Sequence, residues 1–408
     1  MKFLHAADIH LDSPLAGLAA RADIPAELIR GCTRRAFEAM IQLAIDEDVA
    51  FVVIAGDLYD GDWKDFSTGL FFTAQMRRLN RPCYLLRGNH DAQSVITRSL
   101  GRLPPNVHEF SARTCQTHTL AEAGVALHGH SFPNRAVPED LSALYPAPTA
   151  GLLNIGVLHT SAEDAGGLHD RYAPCTAAAL ALKGYDYWAL GHIHERRVLS
   201  ESPWIVFPGN LQGRHVQETG AKGCTLVTVE DSRIVAAEHR SVDVLRWALL
   251  EVDASDADVP TLTDRIGQAV APAIAAAEGR PLLARLVVTG ETALHERLRS
   301  DEAGLAALLR DAADAAGGSL QPEKVRIRTR APAQGGEERL APLRAAFESG
   351  LDDADTVAAL LAEFDRLRGM LPSELQASVE IPADAAALRA FADDAWSLAA
   401  RAMEEPPA

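Results

Sequence analysis

The sequence predicts an α/β fold followed by a small α+β domain and a helical region. Two observations carry that reading. Over residues 1–240, short runs of branched and aromatic residues alternate with stretches whose apolar residues recur at helical spacing. The polar residues best suited to chemistry stand directly after those runs. Continuous apolar runs of this length suit buried strands, and alternation with helices places the helices on the faces of a sheet.

In order along the chain, residues 2–7 read as a strand. Residues 26–46 read as a helix, with Leu28, Ile29, Ala36, Met40, Leu43 and Ala44 at helical spacing. Further strands are expected at 51–55, 83–86, 152–158, 187–190, 204–207 and 225–229, and a second helix at 65–79. Beyond residue 240 the texture changes. Strand patterns at 247–252, 283–289 and 324–329 enclose an Ala-rich helix at 261–277, interrupted by Pro272, and another at 302–315. Residues 331–336 (APAQGG) read as a linker. Three acidic helical stretches follow at 340–347, 356–367 and 385–403. The expected domains are therefore 1–240, 241–335 and 336–408.

Length and composition bound the function. A chain of 408 residues is too long for one ordinary core. Its 48% hydrophobic and 23% charged residues belong to the soluble globular class. No run approaches the roughly 20 apolar residues of a spanning helix. The N-terminal MKFLHAADIH is cut at once by His5 and Asp8, unlike a secretory signal. Cys32, Cys83, Cys115, Cys175 and Cys224 are scattered, odd in number and without a CxxC pair. That pattern argues against a disulfide framework or zinc finger, and for reduced thiols in a cytoplasmic protein with no membrane partner. The net charge of −17 is unevenly spread. Residues 1–240 carry 22 basic and 27 acidic groups (−5), residues 241–336 carry 11 and 14 (−3), and residues 337–408 carry 6 and 15 (−9). Two divalent cations would add about +4 to the first segment and nearly neutralise it. The front of the chain is thus compatible with a nucleic-acid partner; the tail is not.

Five segments carry the chemistry: Asp8-Ile9-His10, Gly56-Asp57, Gly88-Asn89-His90-Asp91, His159 and Gly191-His192-Ile193-His194. Each ends an apolar run, the edge of an α/β sheet where ligands bind. Asp8 and His10, like His192 and His194, are two apart and leave an extended chain on one side. A carboxylate has two oxygens, and Asp57 is the natural bridge between two cations. Asp8, His10 and His194 would complete one site, and Asn89, His159 and His192 the other. This donor set suits two divalent ions, manganese first, with magnesium, iron and zinc as alternatives. Two such ions about 3.5–4 Å apart clamp a phosphate and acidify water. His90 follows a ligand directly and is placed to stabilise charge or protonate a leaving oxygen.

The order D-x-H, GD, GNHD, H, GHIH resembles the calcineurin-like metallophosphoesterase family. The resemblance implies a metallophosphoesterase β-sandwich flanked by helices, with a capping domain and a helical docking region behind it. Six further segments resemble the SbcD-like DNA-repair exonucleases, especially the YhaO type: HAADIHLDSPL (5–15), AGDLYDGDW (55–63), YAPC (172–175), GYDYWALGHIH (184–194), PGNLQGRH (208–215) and AKGC (221–224). That branch implies cleavage of DNA, repair as the setting, and an SbcC-like coiled-coil ATPase docked on the C-terminal region; it leaves room for a homodimer. Some nucleases of the family carry a His three residues after the bridging Asp. Here Asp60 stands there, which leaves exonucleolytic and endonucleolytic cleavage both open.

Other residues divide between two readings. Arg214, His215 and Arg87 are candidate phosphate contacts, against a solvated loop for the first two and a salt bridge for Arg87. His128 and His130 read as structural. His169 and Tyr172 lie in a Gly-rich loop that could line a DNA path. Arg326, Arg328 and Arg330 alternate on a strand, with a solvated face as the default. Two rival functions remain: a phosphatase or phosphodiesterase on a protein or small molecule, and a scaffold with a vestigial site.

Overall fold

The structure, a computed structural model, describes every residue except 14, 16–28, 30, 61–65, 93–102, 163–171, 333–336, 371–380 and 405–408. Two compact units result: Met1–Leu250 with Val270–Arg285 and Leu309–Lys324, and Glu251–Ala269 with Leu286–Leu308 and Val325–Ala408.

Strands are numbered along the chain. The first six-stranded sheet takes β1 (Lys2–Ala6), β2 (Phe51–Ala55), β3 (Cys83–Leu86), β4 (Val107–Glu109), β11 (Gly223–Glu230) and β12 (Arg233–Ser241), in the order β12-β11-β1-β2-β3-β4. The second takes β5 (Gln116–Leu120), β6 (Val125–Gly129), β7 (Leu153–His159), β8 (Tyr187–Gly191), β9 (Arg197–Glu201) and β10 (Trp204–Phe207), in the order β5-β6-β7-β8-β10-β9. β1, β2, β3 and β4 run parallel, as do β6, β7, β8 and β10. Strands β13 (Arg246–Asp253), β14 (Leu282–Glu291) and β15 (Leu320–Arg330) pair in that order as a third sheet.

Side-chain alternation makes the first two sheets a sandwich. Phe3, Phe51, Val53 and Ala55 face one way and join Tyr187, Ala189, Ile155 and Val157 of the opposite sheet in a shared core. Their neighbours Leu4, Ala6, Val52 and Ile54 face the other way. There they meet helix α1 (Cys32–Asp46), through Ala36, Phe37, Met40 and Ile41, and helix α2 (Phe66–Leu79), through Phe72 and Met76. α1 starts where Gly31, at φ 68°, turns the chain through the left-handed region. On the outer face of the second sheet, Trp188, Leu190, Ile205 and Phe207 pack with Leu180 of helix α3 (Ala177–Ala181) and with Tyr145 and Tyr185.

Phe3 is central to the shared core. Its ring is fully buried, stacks on Phe51 with centroids 4.9 Å apart and meets Tyr187 edge-on at 5.4 Å. A Phe3→Ala variant is expected to lose about 3–5 kcal/mol of stability, read as a lowered midpoint at unchanged m-value in urea unfolding. One polar tie crosses the same core. His5 bonds Tyr187 Oη at 3.0 Å and the Leu190 carbonyl at 3.1 Å. Burial pushes its pKa down to about 3, so it serves as a neutral tie between the sheets.

The second unit holds helix α4 in part (Val259–Ala277, carrying Pro272), helix α5 (His295–Ser300), helix α6 in part (Glu302–Ala315) and three C-terminal helices: α7 (Glu337–Asp352), α8 (Ala354–Met370) and α9 (Ala385–Glu404). The last three pack on one another. Phe347 lies on Trp396 at 5.3 Å and Phe364 meets Phe391 at 5.2 Å. Among the described residues no helix is long and apolar enough to cross a membrane. All five cysteines are free thiols.

Candidate metal centre

The parallel strands of the two sheets deliver their C-terminal ends to one edge of the sandwich. Asp8 and His10 follow β1, Asp57 follows β2, Asn89 and His90 follow β3, His159 ends β7, and His192 and His194 follow β8. Asp8, His10, Asp57, Asn89, His159 and His192 are each no more than 6% exposed. The backbone there is strained. Asp8 (φ 51°), His10 (φ 45°), Asp57 (φ 52°) and His192 (φ 104°) all stand at positive φ, a region costly to residues other than glycine and concentrated at functional sites. Backbone bonds hold these turns: Asp8 N–H donates to the Gly56 carbonyl, His10 N–H to the Asp57 carbonyl, and His192 N–H to the Asp8 carboxylate at 2.9 Å.

Two glycines allow the close approach. A Cβ on Gly191 would fall 2.1 Å from the Ala55 carbonyl oxygen, where the two sheets meet. One on Gly88 would fall 2.2 Å from Asp57 Oδ1. Asp91 ties these loops from beneath. Fully enclosed, it accepts from the backbone N–H of Tyr59 (2.9 Å), Gly88 (3.1 Å) and Leu58 (3.2 Å). Burial and the neighbouring Asp57 charge push its pKa up to about 7 despite those three donors.

The electrostatics call for cations. Asp8 and Asp57 sit in one pocket, and their ion-pair partners are histidines. His194 Nε2 is 3.9 Å from Asp8, and His159 Nε2 and His10 Nε2 are 3.4 and 4.0 Å from Asp57. Burial, with Asp57 adding its repulsion, raises the pKa of Asp8. Burial works the same way on Asp57, but the adjoining His159, His10 and His90 outweigh it and hold its carboxyl well below the usual range. Burial and the Arg214 charge keep His10 neutral, the form that binds metal.

His159 gives the sharpest test of fit. Its Nδ1 faces the Ala55 carbonyl at 2.9 Å, an acceptor only, so Nδ1 carries the hydrogen. Nε2 then faces Asn89 Oδ1 at 2.9 Å and Asp57 Oδ2 at 3.4 Å. With Asn89 in this orientation three acceptors converge on one point, an arrangement that suits a positive charge between them. In the metal-free chain a proton supplies it: burial opposes the charge, yet Asp57 holds the His159 pKa up at about 9. A divalent ion can replace that proton. Ligand atoms of Asp8, His10 and His194 lie within 4.8 Å of one another, as do those of Asp8, Asp57 and His159. The residues present therefore fit a pair of cations.

Around this centre lies a ring of polar contacts. His90 N–H donates to Asp57 Oδ1 at 3.0 Å, and its ring Nδ1 is 3.0 Å from Asp60 Oδ1. Burial works against a charged His90, but Asp60 and Asp57 outweigh it and raise its pKa. Ser13 donates to Asp60 at 2.7 Å, and Arg214 reaches Ser13 at 3.3 Å and Asp60 at 3.7 Å. His215 lies 3.3 Å from Glu218. Arg87 takes the other reading: its guanidinium is engaged by Glu109, with one bond at 2.8 Å. His128 is held by Thr117 at 2.8 Å and Asn154 at 3.0 Å, and His130 by the Ser131 carbonyl. Tyr172 packs edge-on against His192 at 5.5 Å, whereas His169 lies outside the described residues. Arg328 and Arg330 are exposed and Arg326 half-buried.

Glu218 was not legible in the sequence. Only 6% exposed, it accepts from His194 Nδ1 at 2.6 Å, the Arg214 backbone at 2.7 Å and Asn210 Nδ2 at 2.9 Å. It lies in an irregular loop with no spacing relation to His194, so no periodic signal marks it.

Residues 1–196 match the family model of calcineurin-like phosphoesterases, and residues 247–330 match the middle domain of the metallophosphoesterase YhaO. The chain is 36% identical to the metallophosphoesterase YhaO of Bacillus subtilis over 298 residues, spanning 71% of this chain and 72% of that one. Solved structures that align include a dimetal phosphatase from Danio rerio (13% identity, TM-score 0.40, covering 59% of this chain and 96% of that one) and the protein TT1561 of Thermus thermophilus (12%, 0.36, 59% and 98%).

Proposed function

The chain belongs to the calcineurin-like metallophosphoesterase family, and on that premise we propose that it is a two-metal DNA nuclease of DNA repair, an exonuclease subunit. In this reading Asp8, His10 and His194 would hold one ion, Asn89, His159 and His192 the other, and Asp57 would be shared between them. Bound there, a pair of divalent ions, manganese first, supplies Lewis acidity to the phosphoryl group and to water. The chain does the rest. Asp60 accepts from His90 Nδ1 and so turns Nε2 outward to protonate the leaving oxygen. Arg214, tied to Ser13 and Asp60, brings a cation beside the phosphate.

One observation carries the choice of DNA. The segments that mark the nuclease branch are the ones that ring the centre. Ser13 comes from residues 5–15, Asp60 from 55–63, and Asn210 and Arg214 from 208–215, and they meet one another or Glu218 there. The C-terminal helices would dock a coiled-coil ATPase. α8 buries none of its residues, and Leu360, Leu367 and Met370 are exposed on it. With little positive charge of its own, the isolated chain should grip DNA weakly, because nonspecific affinity comes from phosphate neutralisation.

The test is manganese-dependent degradation of end-labelled linear duplex DNA by the full chain, with and without the ATPase partner. Release of short products supports the reading. Hydrolysis of a generic phosphodiester with no cleavage of DNA in either condition would move the substrate to a protein or small molecule.

A further inference from the structure

The histidines of the centre are not held alike. His159 Nδ1 meets a backbone carbonyl, Ala55 O, at 2.9 Å. His10 Nδ1 is buried with no hydrogen-bond partner among the described residues. His194 Nδ1 meets the Glu218 carboxylate at 2.6 Å. A carboxylate cannot donate, so this contact places the His194 hydrogen on Nδ1 and leaves the Nε2 lone pair facing His10 Nε2 at 3.2 Å and Asp8 Oδ1 at 3.9 Å.

Glu218 is itself locked. Its second oxygen accepts from Asn210 Nδ2 and the Arg214 backbone N–H, and His215 Nε2 lies 3.3 Å from the first. Lys222 also anchors this stretch, its Nζ donating to the His194 carbonyl at 2.9 Å. A buried carboxylate so oriented both fixes the imidazole and raises its basicity, which a neutral carbonyl does far less.

We propose that Glu218 is the positioning residue of the Asp8/His10/His194 site: it fixes His194 as an Nε2 ligand and makes that site's affinity depend on a buried carboxylate, where His159 has a backbone carbonyl in the same role. Through Arg214 and His215 the same carboxylate ties this metal site to the 208–215 loop. The inference rests on the two-ion reading of the centre.

Two measurements test it on the full chain. The first is calorimetric titration of the metal-free protein with manganese, comparing native with Glu218→Gln. The glutamine keeps the shape and removes the charge. The expected result is two sites in both proteins, with one dissociation constant about 10–100-fold weaker in the variant and the other unchanged. Fewer than two sites in the native chain would instead defeat the two-ion reading. Two native sites with both constants unchanged, or both weakened alike, would overturn the role of Glu218 alone.

The second needs no folded variant at this position. Long-range proton–nitrogen correlation spectra of the native metal-free chain, with the His194 signals assigned by loss in His194→Ala, report the tautomer. Hydrogen on Nδ1 is expected; hydrogen on Nε2 of a neutral His194 would overturn the proposal.

Discussion

An Asp57→Asn variant is expected to hydrolyse bis(p-nitrophenyl) phosphate about 1000-fold more slowly than the native chain, a loss of about 4 kcal/mol of transition-state stabilisation. Asp57 is the point on which the centre converges. Its Oδ1 accepts from the His90 backbone at 3.0 Å, and its Oδ2 lies 3.4 Å from His159 Nε2 and 4.0 Å from His10 Nε2. An amide carries no negative charge, so it would hold two cations far more weakly than the carboxylate does. It also brings N–H hydrogens against imidazole nitrogens or the His90 amide. The loss should appear in kcat and in bound metal together, with circular dichroism unchanged. Retained activity within about 10-fold of native would remove Asp57 from the bridging role.

The second large effect is at His90. Its ring touches Asp60 and packs edge-on against His10 at 4.9 Å. His90→Asn is expected to lower kcat about 10²–10⁴-fold on substrates with an alkoxide leaving group, with metal stoichiometry unchanged. On p-nitrophenyl esters, whose leaving group needs no proton, the loss should be at most about tenfold. The pH profile carries the same signature. A proton donor acts in its charged form, and Asp60 and Asp57 raise the His90 pKa. Activity on alkoxide esters should therefore hold below that raised pKa and fall as pH climbs through it, and this limb should vanish in His90→Asn. Equal losses on both leaving groups would mean that His90 only shapes the metal site.

How much of this was legible in the sequence depends on range. The strands that carry the centre were, because β1, β2, β3, β7 and β8 are buried on both faces and read as continuous apolar runs. β5 and β12 were not. QTHTL is half-exposed and has no apolar run, and in RIVAAEHRS the short run Ile234–Ala237 is partly exposed and followed by polar residues. The five-residue β6 (VALHG) ends on a buried His and Gly, which leaves an apolar run of only three residues. His128 is buried there because Thr117 and Asn154 satisfy both ring nitrogens.

At the centre, residue types and strand-end placement named the seven ligand candidates, and the fold brings them to one edge. The roles of their supports were not legible, although Asp91 stood in one of the five segments, and the reason is physical. Asp91 clasps three backbone donors and Glu218 orients His194 from 24 residues away, contacts that only the folded loops create. Arg87 shows the converse. Beside Gly88 it could have faced phosphate, but Glu109 across the β3–β4 pair engages it.

The central claim is the pair of ions, and crystals of the full chain soaked in manganese test it most directly by anomalous diffraction at the manganese edge. The expected map holds two peaks about 3.5–4 Å apart, one against Asp8, His10 and His194, the other against Asn89, His159 and His192, with Asp57 touching both. A single peak, or peaks away from Asp57, would contradict it.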